Sequence, residues 1–171
     1  MAPNPESNGL AWFSPLGISV SMFLLSGFLH VLIGGLTPFL FNSDFGRKIL
    51  FFSNRTDAEY FGTEPEALLA KNQDLVRMRR ILPGFCGAAL LALGIFIMSL
   101  SWFALGRGQP WALWTLGVCG LVTFMGWCLS LWPYHQAGIR FALADLPPLF
   151  WIPGLLLLPS LLLGWMGLKQ P

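Results

Sequence analysis

Charge is what this sequence has least of. Only 11% of its 171 residues are Asp, Glu, Lys or Arg, while 55% are hydrophobic and the mean hydropathy is +0.65. A soluble domain carries about 25% charged residues. So little charge cannot cover that much apolar surface in water, which excludes a soluble globular enzyme. Disorder is excluded too, because it needs low hydrophobicity and high charge. Cysteine is scarce, at three residues with no C-x-x-C pair, so there is no disulfide scaffold. The formal net charge of +2 provides no basic field for nucleic acid. The sequence also lacks an H-E-x-x-H pair, a nucleophile elbow, a P-loop and a dinucleotide fingerprint, so no catalytic constellation is legible. What remains is a small integral membrane protein whose first partner is the lipid bilayer, in a single domain over residues 1–171.

Long apolar runs are what the sequence has. A helix needs about 20 mostly apolar residues to cross the hydrocarbon core. Four stretches qualify, at about residues 12–41, 82–105, 112–132 and 149–167, and none holds an Asp, Glu, Lys or Arg. They are too long for strands, and no ten-residue alternation points to a barrel. Because lipid offers the backbone no hydrogen bonds, these segments are read as helices. The expected fold is all-α, a polytopic four-transmembrane-helix bundle. The first stretch is longer than a span requires. Gly34, Gly35 and Pro38 predict that it bends or ends early, leaving residues 39–41 in the interface.

The basic residues set the expected orientation. The tail before Trp12 has none, whereas the loop at 42–81 holds Arg47, Lys48, Arg55, Lys71, Arg77, Arg79 and Arg80. Arg107, Arg140 and Lys169 occupy the second loop, the third loop and the C-terminal segment. Positive-inside bias places loops one and three in the cytoplasm and both termini outside, as in a bacterial inner membrane. Trp12, Trp102, Trp111, Trp114 and Trp165 then fall at the outer boundary, with Trp132 and Trp151 at the inner one, the depths that amphipathic rings favour. No positive n-region precedes the first stretch and no A-x-A site follows it, so it is read as a retained helix.

The 42–81 loop is patterned as an amphipathic cytoplasmic insertion. Thr56 with Glu59 has capping-box spacing, with Gly62 placed to close that helix. Thr63 with Glu66, and Pro65 in the first turn, predict a second helix over 63–82 that turns into the second span at Pro83 and Gly84. Leu68, Leu75 and Leu82 recur every seven residues on one face. Leu68 and Leu75, with Arg77, Arg79 and Arg80 beside them, are therefore expected to face lipid or a partner protein.

His30 is the one ionisable residue well inside a span. Ser26, His30 and Gly34 are four apart on one face, and small residues mark helix–helix contact, so His30 is expected to point into the bundle. There a charged imidazolium would be costly, and the neutral ring is expected. Two readings follow. His30 either makes a hydrogen bond to a neighbouring helix, or it holds a ligand: a haem or chlorophyll-type pigment, a quinone, or a lipophilic substrate. His135 does not serve as a second axial ligand, since His30 lies about 10–15 Å deeper along the helices.

Further candidates are weaker. Asp57, Glu59, Tyr60 and His135 are candidates for a polar cluster on the loop side, with Arg140 and Asp145 pairing with each other or with the first loop. Cys86, Cys119 and Cys128 read as small hydrophobes. Gly84, Ala88 and Ala92 offer a small-residue face on the second span, as Gly117 and Gly120 do on the third, suited to packing these two as a hairpin. Pro153 and Pro159 predict kinks in the fourth span. Two functions from different classes result. One is a non-catalytic structural or accessory subunit of a larger membrane complex, partnered by other membrane subunits or by itself. The other is a membrane protein with its own intramembrane binding site at His30.

Overall fold

A computed structural model describes residues 10–170. The basic-residue-free tail before Leu10 lies outside the described residues. The described chain is helical with no strand. Four helices are long and apolar enough to cross a membrane, which makes this an integral membrane protein built as a four-span bundle.

Helix α1 covers Pro15–Asn42, with Ser14 capping the Gly17 amide and Pro15 in the first turn. A short α2 follows at Asp44–Arg47. Helix α3, Asn54–Phe61, is capped by Ser53 rather than by Thr56, and Gly62 ends it with φ of 66°, the left-handed conformation the sequence anticipated there. Helix α4 is Pro65–Lys71. Helix α5, Gln73–Phe103, leads through a one-turn 3-10 segment and Gly108, at φ of 74°, into α6 at Pro110–Gln136. Helix α7 is Pro148–Leu168. The bundle has a terminal end, where α1 begins and α7 finishes, and a loop end, which carries α2, α3 and α4.

Two sequence expectations about where helices end are corrected. The insertion helix does not run from 63 to 82 and turn at Pro83. The chain breaks at Asn72, whose side chain accepts the Leu75 amide and restarts the helix, and α5 then continues unbroken through Pro83. One missing donor is a small loss in a helix whose other backbone bonds must all be kept in lipid. At 1.5 Å per residue the 31-residue α5 is about 46 Å long, so its first turns project beyond a core about 30 Å thick. Helix α1 likewise runs on through Gly34, Gly35 and Pro38.

The same region brings α1 against α5. Helix α1 packs most extensively on α5 and next on α7, while α6 leans mainly on α7. The α1–α5 contact is made through glycines. A Cβ on Gly87 would stand 2.6 Å from the Gly34 carbonyl oxygen and 3.2 Å from Pro38 Cδ, and one on Gly94 would stand 2.6 Å from the Gly27 oxygen. Pro38 lacks the amide that would bond the Gly34 carbonyl, and that oxygen meets the Gly87 backbone instead. The anticipated hairpin of second and third spans is therefore not the tight pair, and Gly84, Ala88 and Ala92 are not its seam. Nothing stands within 4 Å of a Cβ on Gly84, and both alanines are exposed. Gly117 and Gly120 face Leu161 and Leu157 of α7.

The fully packed core sits at the terminal end, around Val20, Phe23, Leu105, Leu113 and Leu116. Ser19 crosses the bundle there, donating to the Ser160 carbonyl at 2.7 Å. Trp12 pairs with Trp102 and Trp114 with Trp165 at that end.

Candidate functional site

Below the core the helices part around His30. Its side chain is buried, at 2% exposure. Nδ1 lies 2.8 Å from the Ser26 carbonyl oxygen one turn earlier. A carbonyl only accepts, so Nδ1 carries the hydrogen and the neutral ring keeps its lone pair on Nε2. No described group donates to Nε2. The hydrogen bond expected with a neighbouring helix is thus made within α1.

The ring borders a cavity of about 40 Å³ at the centre of the bundle. All four long helices contribute walls: Phe23 and Ser26 from α1, Ile97 from α5, Thr123 and Trp127 from α6, and Pro153 and Ser160 from α7. Roughly 10–15 Å³ admits one water, so the cavity accepts a small head group and is too narrow for a haem or chlorophyll-type macrocycle unless the helices separate. Two other polar linings are already engaged with their own helices: the Thr123 hydroxyl bonds the Cys119 carbonyl at 2.9 Å and that of Ser160 bonds the Leu156 carbonyl at 2.5 Å. His30 Nε2, the Ser26 hydroxyl and the Trp127 indole N–H are the lining polar groups left for a ligand.

A second cluster ties the loops together. Asp57 is fully buried and accepts the Leu50 and Phe51 amides at 2.7 and 2.9 Å and the Tyr134 hydroxyl at 2.8 Å. Tyr60 stacks on Tyr134 at 4.3 Å between ring centroids. Asp145 accepts Ser53 Oγ at 2.9 Å, Arg55 Nη2 at 2.5 Å and the Ala142 amide at 2.8 Å. The Arg55 guanidinium in particular holds the Asp145 carboxyl down to about 2. Asp145 therefore pairs with the first loop and not with Arg140. His135 stays exposed outside the cluster, and Glu59 meets Arg55 at 3.5 Å on the surface. Tyr134, which brings Asp57 and Tyr60 together, was not singled out in the sequence. Asp57 with Tyr134, and Asp145 with Arg55, satisfy each other, which describes an anchor between the loops.

The remaining candidates are dispersed. Leu68 and Leu75 are half-buried on α4 and α5, on either side of the break at Asn72. Arg77 is exposed beside Asp74 at 3.1 Å, and Arg80 is exposed. Arg79 turns back into the protein, donating to the carbonyls of Phe41, Gly46 and Ile49. Cys86 and Cys128 are exposed on their helices, Cys119 is half-buried, and none forms a disulfide. The described residues contain no group of three or more His, Cys, Asp or Glu suited to a metal ion.

Comparison with protein-family models, curated proteins and solved structures returned no match for this chain.

Proposed function

We propose that this membrane protein binds a lipophilic molecule between its helices, with His30 as the polar contact. The carrying observation is the buried imidazole that borders the central cavity and whose Nε2 has no partner among the described residues. A polar group at that depth is a functional candidate by default. The tautomer sets the ligand chemistry. With its hydrogen committed to Ser26, His30 accepts and does not donate. It suits a head group that offers an O–H or N–H, such as a quinol hydroxyl. To bond His30, a quinone carbonyl would need an Nε2 hydrogen, and so a charged ring in an apolar site.

The test uses a decyl-substituted quinol and its quinone, titrated into the protein in lipid nanodiscs while tryptophan emission is followed. Trp127 lines the cavity and Trp127→Phe identifies its signal. One hydrogen bond within a membrane contributes about 1–2 kcal/mol, so the quinol is expected to bind about five- to thirtyfold more tightly. His30→Leu should remove that preference while leaving yield unchanged, because the only bond lost runs to the same helix. Equal binding of quinol by the parent and His30→Leu overturns the reading.

The rival reading, an accessory subunit of a larger complex, draws on exposed apolar rows such as Val118, Val122, Met125 and Leu129 on α6, which lipid also covers. It forecasts co-migration with a large assembly after gentle solubilisation, unaffected by His30→Leu. We also place the loop end in the cytoplasm of a bacterial inner membrane, on the basic residues of the 42–81 loop.

A further inference from the structure

We infer a second binding site at the loop end of α6, one that takes the phosphate head group of an anionic phospholipid. An open hollow of about 570 Å³ lies there. Cys128, Trp132 and His135 of α6 form one wall, and Ile139, Arg140 and Phe141, after the turn at Gly138, form the other. The α6 wall is apolar and continuous with the exposed row that ends in Leu129 and Trp132. Trp132 leans against His135 at 6.0 Å between ring centroids. A chain can lie along that wall, and the cation stands at its head.

Charge pairing around Arg140 supports the assignment. Its backbone is held, since the carbonyl accepts Arg55 Nη2 at 2.7 Å. Its guanidinium has no hydrogen bond or ion pair among the described residues. The nearby carboxylates are already engaged: Asp145 with Arg55 and Ser53, Glu59 with Arg55, and Asp57 with Tyr134. No acid among the described residues forms an ion pair with Arg140. A forked, permanently charged guanidinium at the edge of an apolar wall matches a phosphodiester in both geometry and charge. Because the wall runs into the lipid-facing row, a lipid fits better than an acidic peptide, which would leave that row uncovered.

Native mass spectrometry on protein purified with equal phosphatidylglycerol and phosphatidylcholine reads this directly. One phosphatidylglycerol should be retained, about fivefold in preference to phosphatidylcholine, as one basic residue at an anionic surface implies. Arg140→Gln should lose that preference and Arg140→Lys should keep part of it, while Arg77→Gln, on the exposed start of α5, should match the parent. Equal retention of both lipids, or a full preference in Arg140→Gln, overturns the proposal. Displacement of the lipid by excess inorganic phosphate would instead mark a free-anion site and would overturn it as well.

Discussion

Tyr134, near the end of α6, donates its hydroxyl at 2.8 Å to Asp57, a carboxylate buried in the loop before α5. That bond, with the Leu50 and Phe51 amides on the same carboxylate, fastens the long loop to the third span. A hydrogen bond to a charged group contributes about 1.5–3 kcal/mol, and stranding several buried donors costs more. Tyr134→Phe should therefore lower thermal stability moderately and Asp57→Ala severely, with new protease cleavage between residues 43 and 72. Parent-like melting and cleavage in both variants would show that the contact holds nothing.

Asp145 links the same loops with a definite pH signature. Its carboxyl is lowered from 3.8 to about 2, chiefly by Arg55. A lowered folded value means the ionised form stabilises: the contribution is complete above 3.8 and is lost as pH falls through about 2. Amide exchange in residues 50–57, taken relative to the intrinsic rate at each pH, should stay flat from neutral pH to about 4 and rise below it. Asp145→Asn should raise that exchange at neutral pH and remove the acid dependence. Because Arg55 is half-exposed, added salt should weaken the link in the parent. A parent profile unchanged down to pH 2 would refute the assignment.

Two glycines of α5, one turn apart, should behave oppositely. Ala at Gly87 would place its Cβ 2.6 Å from the Gly34 carbonyl and force α1 and α5 apart, whereas Gly84 has open space. Gly87→Ala should destabilise by about 1–3 kcal/mol or more, and Gly84→Ala should be neutral or stabilising by up to about 1 kcal/mol. Thermal unfolding in detergent distinguishes them. Similar shifts for both would mean that α1 and α5 are not in close contact.

Orientation is open to chemical labelling. In a cysteine-free background, Gln170→Cys should react with an impermeant maleimide on intact cells, and Glu64→Cys only after permeabilisation. The reverse pattern would overturn the placement of the loop end in the cytoplasm.

Much of the fold was legible because hydropathy and caps are local signals. The four spans, the Gly62 terminus and the inward face of Ser26 and His30 all come from residues within a few turns of one another. Neighbour choice is not local. Gly27 with Gly34 and Gly87 with Gly94 each repeat at seven residues, and that shared interval was the available sign of an α1–α5 seam. The four-residue spacing of Gly84, Ala88 and Ala92 drew attention first. The sequence leaves Asp145 open to Arg140 or to the first loop, and only the fold selects Arg55; nothing in Trp132-Pro133-Tyr134 marks Tyr134 as the partner of a distant carboxylate. Pro83 and Pro38 misled for a physical reason: a proline that ends a helix in water is tolerated where the alternative is bare backbone in lipid.

The position of α1 between α5 and α7 has a consequence for biogenesis. The His30 chamber takes Pro153 and Ser160 from α7, the last of the four spans to be synthesised. At about 5–20 residues per second, roughly 5–20 s separate completion of α1 from arrival of α7. Through that interval the α7 side of the chamber is missing, and the Ser19 hydroxyl lacks the Ser160 carbonyl it ends up on. A nascent chain released before Pro148 would carry three inserted spans and no chamber, so competence to bind arrives with the final helix and not with the one that bears the histidine.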